Sequence, residues 1–321
     1  MLTYLLFVLG FPALIKGADL LVEGASSLAK RFNISDFIIG LTIVSFGTSM
    51  PELIVNIFAS LDGNADIAVG NIIGSNISNI LLILGISSII SPLPIQRNTV
   101  LSEIPFSLTA TLLVAYLANA ALFGDPGTLS ISRWDGLILL AFFALFMAYI
   151  FKIAGENKEQ EIQSTEHVEI MLLPKSVLYI GIGILGLFLG GKWVVDGAVA
   201  MAEYFGMSQT FIGLTIVAIG TSLPELVTSA MAAYKGNTDI AVGNVVGSNI
   251  FNLLWILGIS AFIKPLQFSL VNNADILVLI VASALMILSL TTGRRNAIDR
   301  VNGIVFVLLY VGYIVYLVYR G

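Results

Sequence analysis

The 321-residue chain has no cysteine, one histidine (His167), and charge on only 11% of its residues. Without thiols there can be no disulfide, no thiolate metal site and no cysteine nucleophile. An intramembrane protease would need a histidine-paired nucleophile, a zinc site or two catalytic aspartates. Only Asp19 and Asp196 could serve as the aspartates, and neither sits in a protease motif. Soluble proteins carry about a quarter charged residues, so a large soluble domain is excluded as well. The alternating short segments of a membrane β-barrel are also missing. At the start, Met1 to Phe7 offers no positive leader and no small-residue cleavage site. This stretch therefore reads as the first spanning helix and not as a removed signal peptide.

Apolar residues make up 57% of the chain, and the mean hydropathy is +0.97. Apolar runs of ~18 residues or more recur, each able to cross about 30 Å of hydrocarbon as a helix. The expected fold class is an all-α polytopic membrane protein with ten transmembrane helices. They fall at about 2–29, 34–60, 67–90, 99–123, 134–153, 174–202, 207–233, 240–263, 272–291 and 301–319. The one sustained polar stretch, Gly155 to Glu169, reads as a solvated linker that carries His167. The organisation predicted is a first five-helix repeat over 1–154, a linker over 155–173 and a second, inverted repeat over 174–321, with helices 2, 3, 7 and 8 interrupted.

The second half repeats the first. With an offset of 173, residues 40–93 and 213–266 agree at 34 of 54 positions without a gap. Chance would give roughly a twentieth to a tenth, so this is an internal repeat. An odd number of spans per repeat forces the two copies into opposite orientations. One side of the membrane then collects ten basic residues: Lys30, Arg31, Arg97, Lys152, Lys158, Lys175, Lys235, Arg294, Arg295 and Arg300. The other side has three, Arg133, Lys264 and Arg320. The positive-inside rule places the linker in the cytoplasm of a multi-pass cell-membrane protein and both termini outside.

Each copy places polar groups where oil is the rule. In Gly47-Thr48-Ser49-Met50-Pro51-Glu52, the proline lacks an N–H and its ring collides with the carbonyl of Gly47. The helix must break there, leaving carbonyls near Ser45, Phe46 and Gly47 open. Ser49 and Glu52 stand at capping-box spacing for a fresh half-helix. The same reading holds for Gly220 to Glu225. As a bare helix start the motif would bury a carboxylate at mid-membrane, at a cost of at least ~2.5 kcal/mol. Asn71, Ser75 and Asn79 follow at four-residue steps on one helical face, as do Asn244, Ser248 and Asn252. Asn76 and Asn249 point elsewhere and are candidates for bonds between helices; purely structural bonding is the plain alternative for any one of these amides. Gly70 with Gly74, and Gly243 with Gly247, permit close helix approach. Asp66 and Asp239 read as helix caps. The charges on Lys16, Asp19, Glu23, Lys192 and Asp196 read equally well as local ion pairs. Asp62 to Asp66 lacks the sixth-position glycine and twelfth-position acid of an EF-hand.

What converges is all oxygen: carboxylates of Glu52 and Glu225, hydroxyls of Thr48, Ser49, Thr221, Ser222, Ser75 and Ser248, amides of Asn79 and Asn252, and freed carbonyls. Such a cage suits hard cations, and flexible six-to-eight-fold coordination suits Ca²⁺ over Mg²⁺. Two glutamates neutralise one Ca²⁺, and Na⁺ could fill the same oxygens. The doubled G-T-S-x-P-E and G-S-N-x-x-N resembles the repeats of the calcium/cation antiporter superfamily, and the whole chain is similar to its compact prokaryotic sodium/calcium exchangers. The resemblance implies secondary active exchange of Ca²⁺ for Na⁺ by alternating access, electrogenic at three Na⁺ per Ca²⁺, with helices 1 and 6 sliding against the core. It implies the ligands just named, with carbonyls at Ser45 and Ala218 added. Some relatives carry aspartate at the place of Asn252, which argues against potassium co-transport here. H⁺/Ca²⁺ antiport through the same carboxylates is the alternative, and a channel would leak Ca²⁺ without a counter-ion. The transported ions and the bilayer are the expected partners, and a monomer suffices. No catalytic residue, cofactor or nucleic-acid partner is expected.

Overall fold

The computed structural model describes residues 2–96, 99, 101–123, 129–156, 170–206, 218–291 and 296–320. His167 and most of the linker lie outside the described residues, as does 207–217. The helices are α1 (Leu2–Phe32), α2 (Asp36–Thr48), α3 (Met50–Asp62), α4 (Ala65–Ile90), α5 (Glu103–Ala118) and α6 (Arg133–Glu156), then α7 (Leu173–Tyr204), α8 (Leu223–Tyr234), α9 (Thr238–Ile263), α10 (Asn272–Ser289) and α11 (Arg300–Arg320).

Among the described residues, seven helices (α1, α4, α6, α7, α9, α10 and α11) are each long and apolar enough to cross a bilayer. The pair α2 and α3, bent by 47°, makes an eighth when it is counted as one broken span. The two remaining expected spans are represented by α5, with 16 residues, and by α8, with 12. The expected bend at Pro51 is present. The expected interruptions of the third and eighth spans are not: α4 and α9 run through. Each instead widens into a π-helical turn, at Ser78–Ile83 and Phe251–Ile256. A π turn takes up an extra residue without ending the helix, so polarity here distorts the ladder and does not break it.

Helix ends explain a second difference. Gly63 stops α3 at φ 78°, in the left-handed region that glycine adopts without penalty. The next residue, Asn64, then caps α4 by accepting from the Ile67 N–H at 3.3 Å. Asp66 sits inside the first turn and is not the cap. Asp239 accepts instead from the Gln96 amide at 3.0 Å.

Burial separates the helices into a centre and a shell. Of the apolar windows of α4 and α9, 78% is buried, against 17% for α6. Beside this centre, α1 and α7 pack antiparallel, Gly10 near Gly190, Gly17 near Gly183 and Gly24 near Ser176. A Cβ on Gly17 would stand 2.8 Å from the Leu187 nitrogen and 2.9 Å from the Gly183 carbonyl oxygen. Larger residues cannot occupy this contact, where backbone touches backbone. Two short antiparallel ladders tie the halves together: Leu93–Pro94 pairs with Ala297–Ile298, and Ser130–Ile131 with Leu266–Gln267.

Candidate cation site

The site forms where the two broken segments meet the two central helices. Thr48 closes α2, Ser49 is the hinge at φ −82° and ψ 7°, and Met50 opens α3 with Pro51 in its first turn. The carbonyl of Ser45, expected to be open, is engaged. It accepts from the Ser49 N–H at 3.0 Å and lies 3.3 Å from the Thr48 hydroxyl. One helical turn survives before the proline acts. The capping box does not form either, since neither Ser49 nor Ser222 makes a side-chain cap bond. The Ser49 hydroxyl donates to Glu225 Oε1 at 3.0 Å and lies 3.0 Å from Ser248 Oγ. A bond to a carboxylate is roughly twice as strong as a neutral one, and it draws the hydroxyl across the interface.

The second half mirrors this. Ser222 stands beside the carboxyl group of Glu52, and its hydroxyl lies 3.3 Å from Ser75 Oγ. Each hinge serine therefore stands at the acid of the other half. Glu52 and Glu225 are each 1% exposed, and their carboxylates are near enough to interact electrostatically. Thr48, Ser75, Ser248, Asn79 and Asn252 are buried around them, with Thr221 half-buried. Ala218 heads the short helical turn Ala218–Thr221.

Four acceptor oxygens in this cluster have no hydrogen-bond partner: Glu52 Oε2, Glu225 Oε2, Asn79 Oδ1 and Asn252 Oδ1. Burying an acceptor without a donor costs on the order of 1–3 kcal/mol each. A cation among them would offset that cost. Among the described residues, no three His, Cys, Asp and Glu side chains come together. The charge at the centre is the two carboxylates alone, and the other oxygens are neutral.

The amides are less symmetric than their sequence. Asn79 Nδ2 donates to Asn249 Oδ1 at 3.0 Å, a bond between α4 and α9. The counterpart of that bond would join Asn252 to Asn76. Instead Asn76 Nδ2 turns back to the Ile72 carbonyl at 2.8 Å, and both polar atoms of the Asn252 amide are unpartnered. Both Asn79 and Asn252 lie inside the π turns, a placement that counting in steps of four could not reveal. Asn71 and Asn244, set on the right face by sequence but left out of the candidate ligands, border the cluster. Thr48 Oγ1 donates to Asn244 Oδ1 at 3.0 Å, and Thr221 Oγ1 to Asn71 Oδ1 at 3.4 Å.

The outlying charges form ion pairs. Lys16 pairs with Asp19, and Lys192 with Asp196 at 2.8 Å. Lys235 pairs with Asp19 and, at 3.0 Å, with Glu23.

A bundle of apolar helices that closes over two acids and a ring of neutral oxygens belongs to a protein that passes ions through a membrane. The sodium/calcium exchanger protein family matches residues 2–152 and 175–319, and the chain belongs to it. It is an ion transporter of the antiporter type and not an enzyme. The chain is 38% identical to the inner membrane protein YrbG of Escherichia coli, over 97% of this chain and 94% of that one. It is 32% identical to the sodium/calcium exchanger MaX1 of Methanosarcina acetivorans, over 98% of each. A solved structure of the sodium-calcium exchanger NCX_Mj, soaked with Na⁺ and Sr²⁺, is 34% identical. It superposes with a TM-score of 0.81 over 98% of both chains.

Proposed function

We propose that this chain exchanges Ca²⁺ for Na⁺ across the cell membrane by alternating access, with Glu52 and Glu225 as the charged ligands. The hydroxyls of Thr48, Ser49, Thr221, Ser222, Ser75 and Ser248, the amide oxygens of Asn79 and Asn252, and the Ala218 carbonyl complete the set. The Ser45 carbonyl retains a second lone pair for the same role. The observation that carries this reading is the bond from the Ser49 hydroxyl to Glu225, with Ser222 placed beside Glu52, around four unpartnered acceptor oxygens. An all-oxygen set with two charges balances one Ca²⁺, and three Na⁺ leave a net +1. The cycle is then electrogenic and gains about 2.3 kcal/mol per 100 mV for the charge moved.

Two inverted five-helix repeats, over 1–154 and 174–321, supply one acid each, and the antiparallel packing of α1 against α7 is in keeping with the inversion. The linker lies in the cytoplasm and both termini outside. Purified protein in vesicles tests the coupling ion. Ca²⁺ uptake is expected from an outward Na⁺ gradient at equal pH. Uptake that requires a pH gradient would assign H⁺ as the counter-ion, and Ca²⁺ leak with neither gradient would make the protein a channel.

A further inference from the structure

We infer that Asn244 and Asn71 are positioning residues. They hold the hydroxyl protons of Thr48 and Thr221 away from the ion, so that each threonine presents only lone pairs to it. This rests on the cation-site reading above and adds to it a requirement on the neighbouring shell.

The direction of each amide follows from its partners. In the second half, Asn244 Nδ2 lies 3.4 Å from the Glu225 backbone carbonyl and 2.9 Å from Ser229 Oγ. A backbone carbonyl only accepts, so the nitrogen must face it. Asn244 Oδ1 therefore faces Thr48, and the Thr48 hydroxyl must be the donor at 3.0 Å. The other acceptor within reach on its own helix, the Ser45 carbonyl, is more distant at 3.3 Å. In the first half the chain is one link longer. Asn56 Nδ2 donates to the Ala68 carbonyl at 3.0 Å, which turns Asn56 Oδ1 toward Asn71 Nδ2 at 2.7 Å. Asn71 Oδ1 then faces Thr221. Both relays begin on a backbone carbonyl and end on a site hydroxyl.

Close backbone contact delivers Asn244 to Thr48. A Cβ on Gly243 would stand 2.5 Å from the Phe37 carbonyl oxygen, and one on Gly247 2.6 Å from Ser45 Oγ. With glycine at both places, α9 lies directly on α2. The Glu225 carboxylate is also within reach of the Thr48 hydroxyl, so it competes with Asn244 for the one hydroxyl proton. The 3.0 Å contact to Asn244 Oδ1 is the one that commits it. With its proton committed to Asn244, the Thr48 oxygen and the carboxylate oppose one another as acceptors, an arrangement that a cation between them satisfies. A hydroxyl whose proton was free to turn inward would bond the carboxylate and compete with the ion.

A double-mutant cycle on half-saturating Ca²⁺, in vesicles with a fixed Na⁺ gradient, tests the relay. Thr48→Val is expected to raise the half-saturating Ca²⁺ about tenfold, the worth of one buried polar ligand. Asn244→Leu should raise it by a similar factor and change the maximal rate less. In the Thr48→Val background, Asn244→Leu should add less than about twofold, because the hydroxyl it orients is gone. Independent, multiplying effects of Thr48→Val and Asn244→Leu would overturn the positioning role and leave the cation site standing. An unchanged half-saturating Ca²⁺ in Thr48→Val would instead remove Thr48 from the site. If Asn244→Leu does not accumulate in the membrane, Asn71→Leu and Thr221→Val give the same cycle in the other half, read by the same outcomes.

Discussion

The two ends of the α1–α7 pair carry exchanged charges and are in different states. The offset of 173 takes Asp19 to Lys192 and Asp62 to Lys235. At one end, Lys235 at the foot of α8 is bonded to Asp19 and Glu23 of α1, and α1 lies along α8. At the other end Lys192 pairs within its own helix with Asp196, Asp62 is exposed, and α7 does not pack to a comparable extent on α3. Positions related by the repeat thus occupy unlike environments. The central amides repeat the lesson: Asn79 holds Asn249, while Asn252 does not hold Asn76. A doubled sequence in an asymmetric structure is what the proposed cycle, in which the halves trade places, requires.

The largest test of that comparison is at its centre. Glu52→Gln and Glu225→Gln should each abolish exchange while the protein still inserts. Removing one of the two carboxylates leaves a buried Ca²⁺ with an uncompensated charge, a cost of about 3–5 kcal/mol, more than a hundredfold in ion binding. Activity surviving in one and not the other would make the halves unequal partners. Next in size is a cross-link, clean in a chain with no native thiol. Asp19→Cys with Lys235→Cys should be joined at rest by a short thiol-directed linker, and exchange should fall more than about tenfold, since the closed end can no longer open. Asp62→Cys with Lys192→Cys should be joined only during turnover. Equal joining of both pairs at rest would erase the difference between the ends. Smallest is Lys235→Gln. Its ion pairs are partly exposed and worth at most about 1 kcal/mol. Half-saturating Na⁺ at that face should shift about two- to fivefold, and no shift would mean that α1 is held there by packing alone.

Much of this molecule is legible in the residues alone, and the failures share a cause. The repeat, seven of the spans, the bend at Pro51 and the burial of the two acids follow from composition, spacing and proline chemistry. The spacing of Ser49 and Glu52 predicts a cap bond beside the ligand role of the Ser49 hydroxyl. The structure gives that hydroxyl to Glu225, and no local pattern encodes a partner 176 residues away. The π turns were missed because widening a helix requires no glycine or proline to announce it. The asymmetry of Asn76 and Asn249 is beyond any sequence reading, since both sit in the same G-S-N-I. Asn71 and Asn244 carry a readable signal, since a polar residue repeated on the face of Ser75 and Ser248 stands beside the same cluster.

The two short ladders carry a consequence for how the chain is made. The strand after α4 is hydrogen-bonded to the one before α11, and the strand after α9 to the one before α6. Each half thus completes its strand pairing with a piece borrowed from its sibling. A ribosome that has released only the first half has made an intermediate awaiting its complement. Two fragments cut at the linker and synthesised together could knit into one transporter, where either by itself would be left with loose threads.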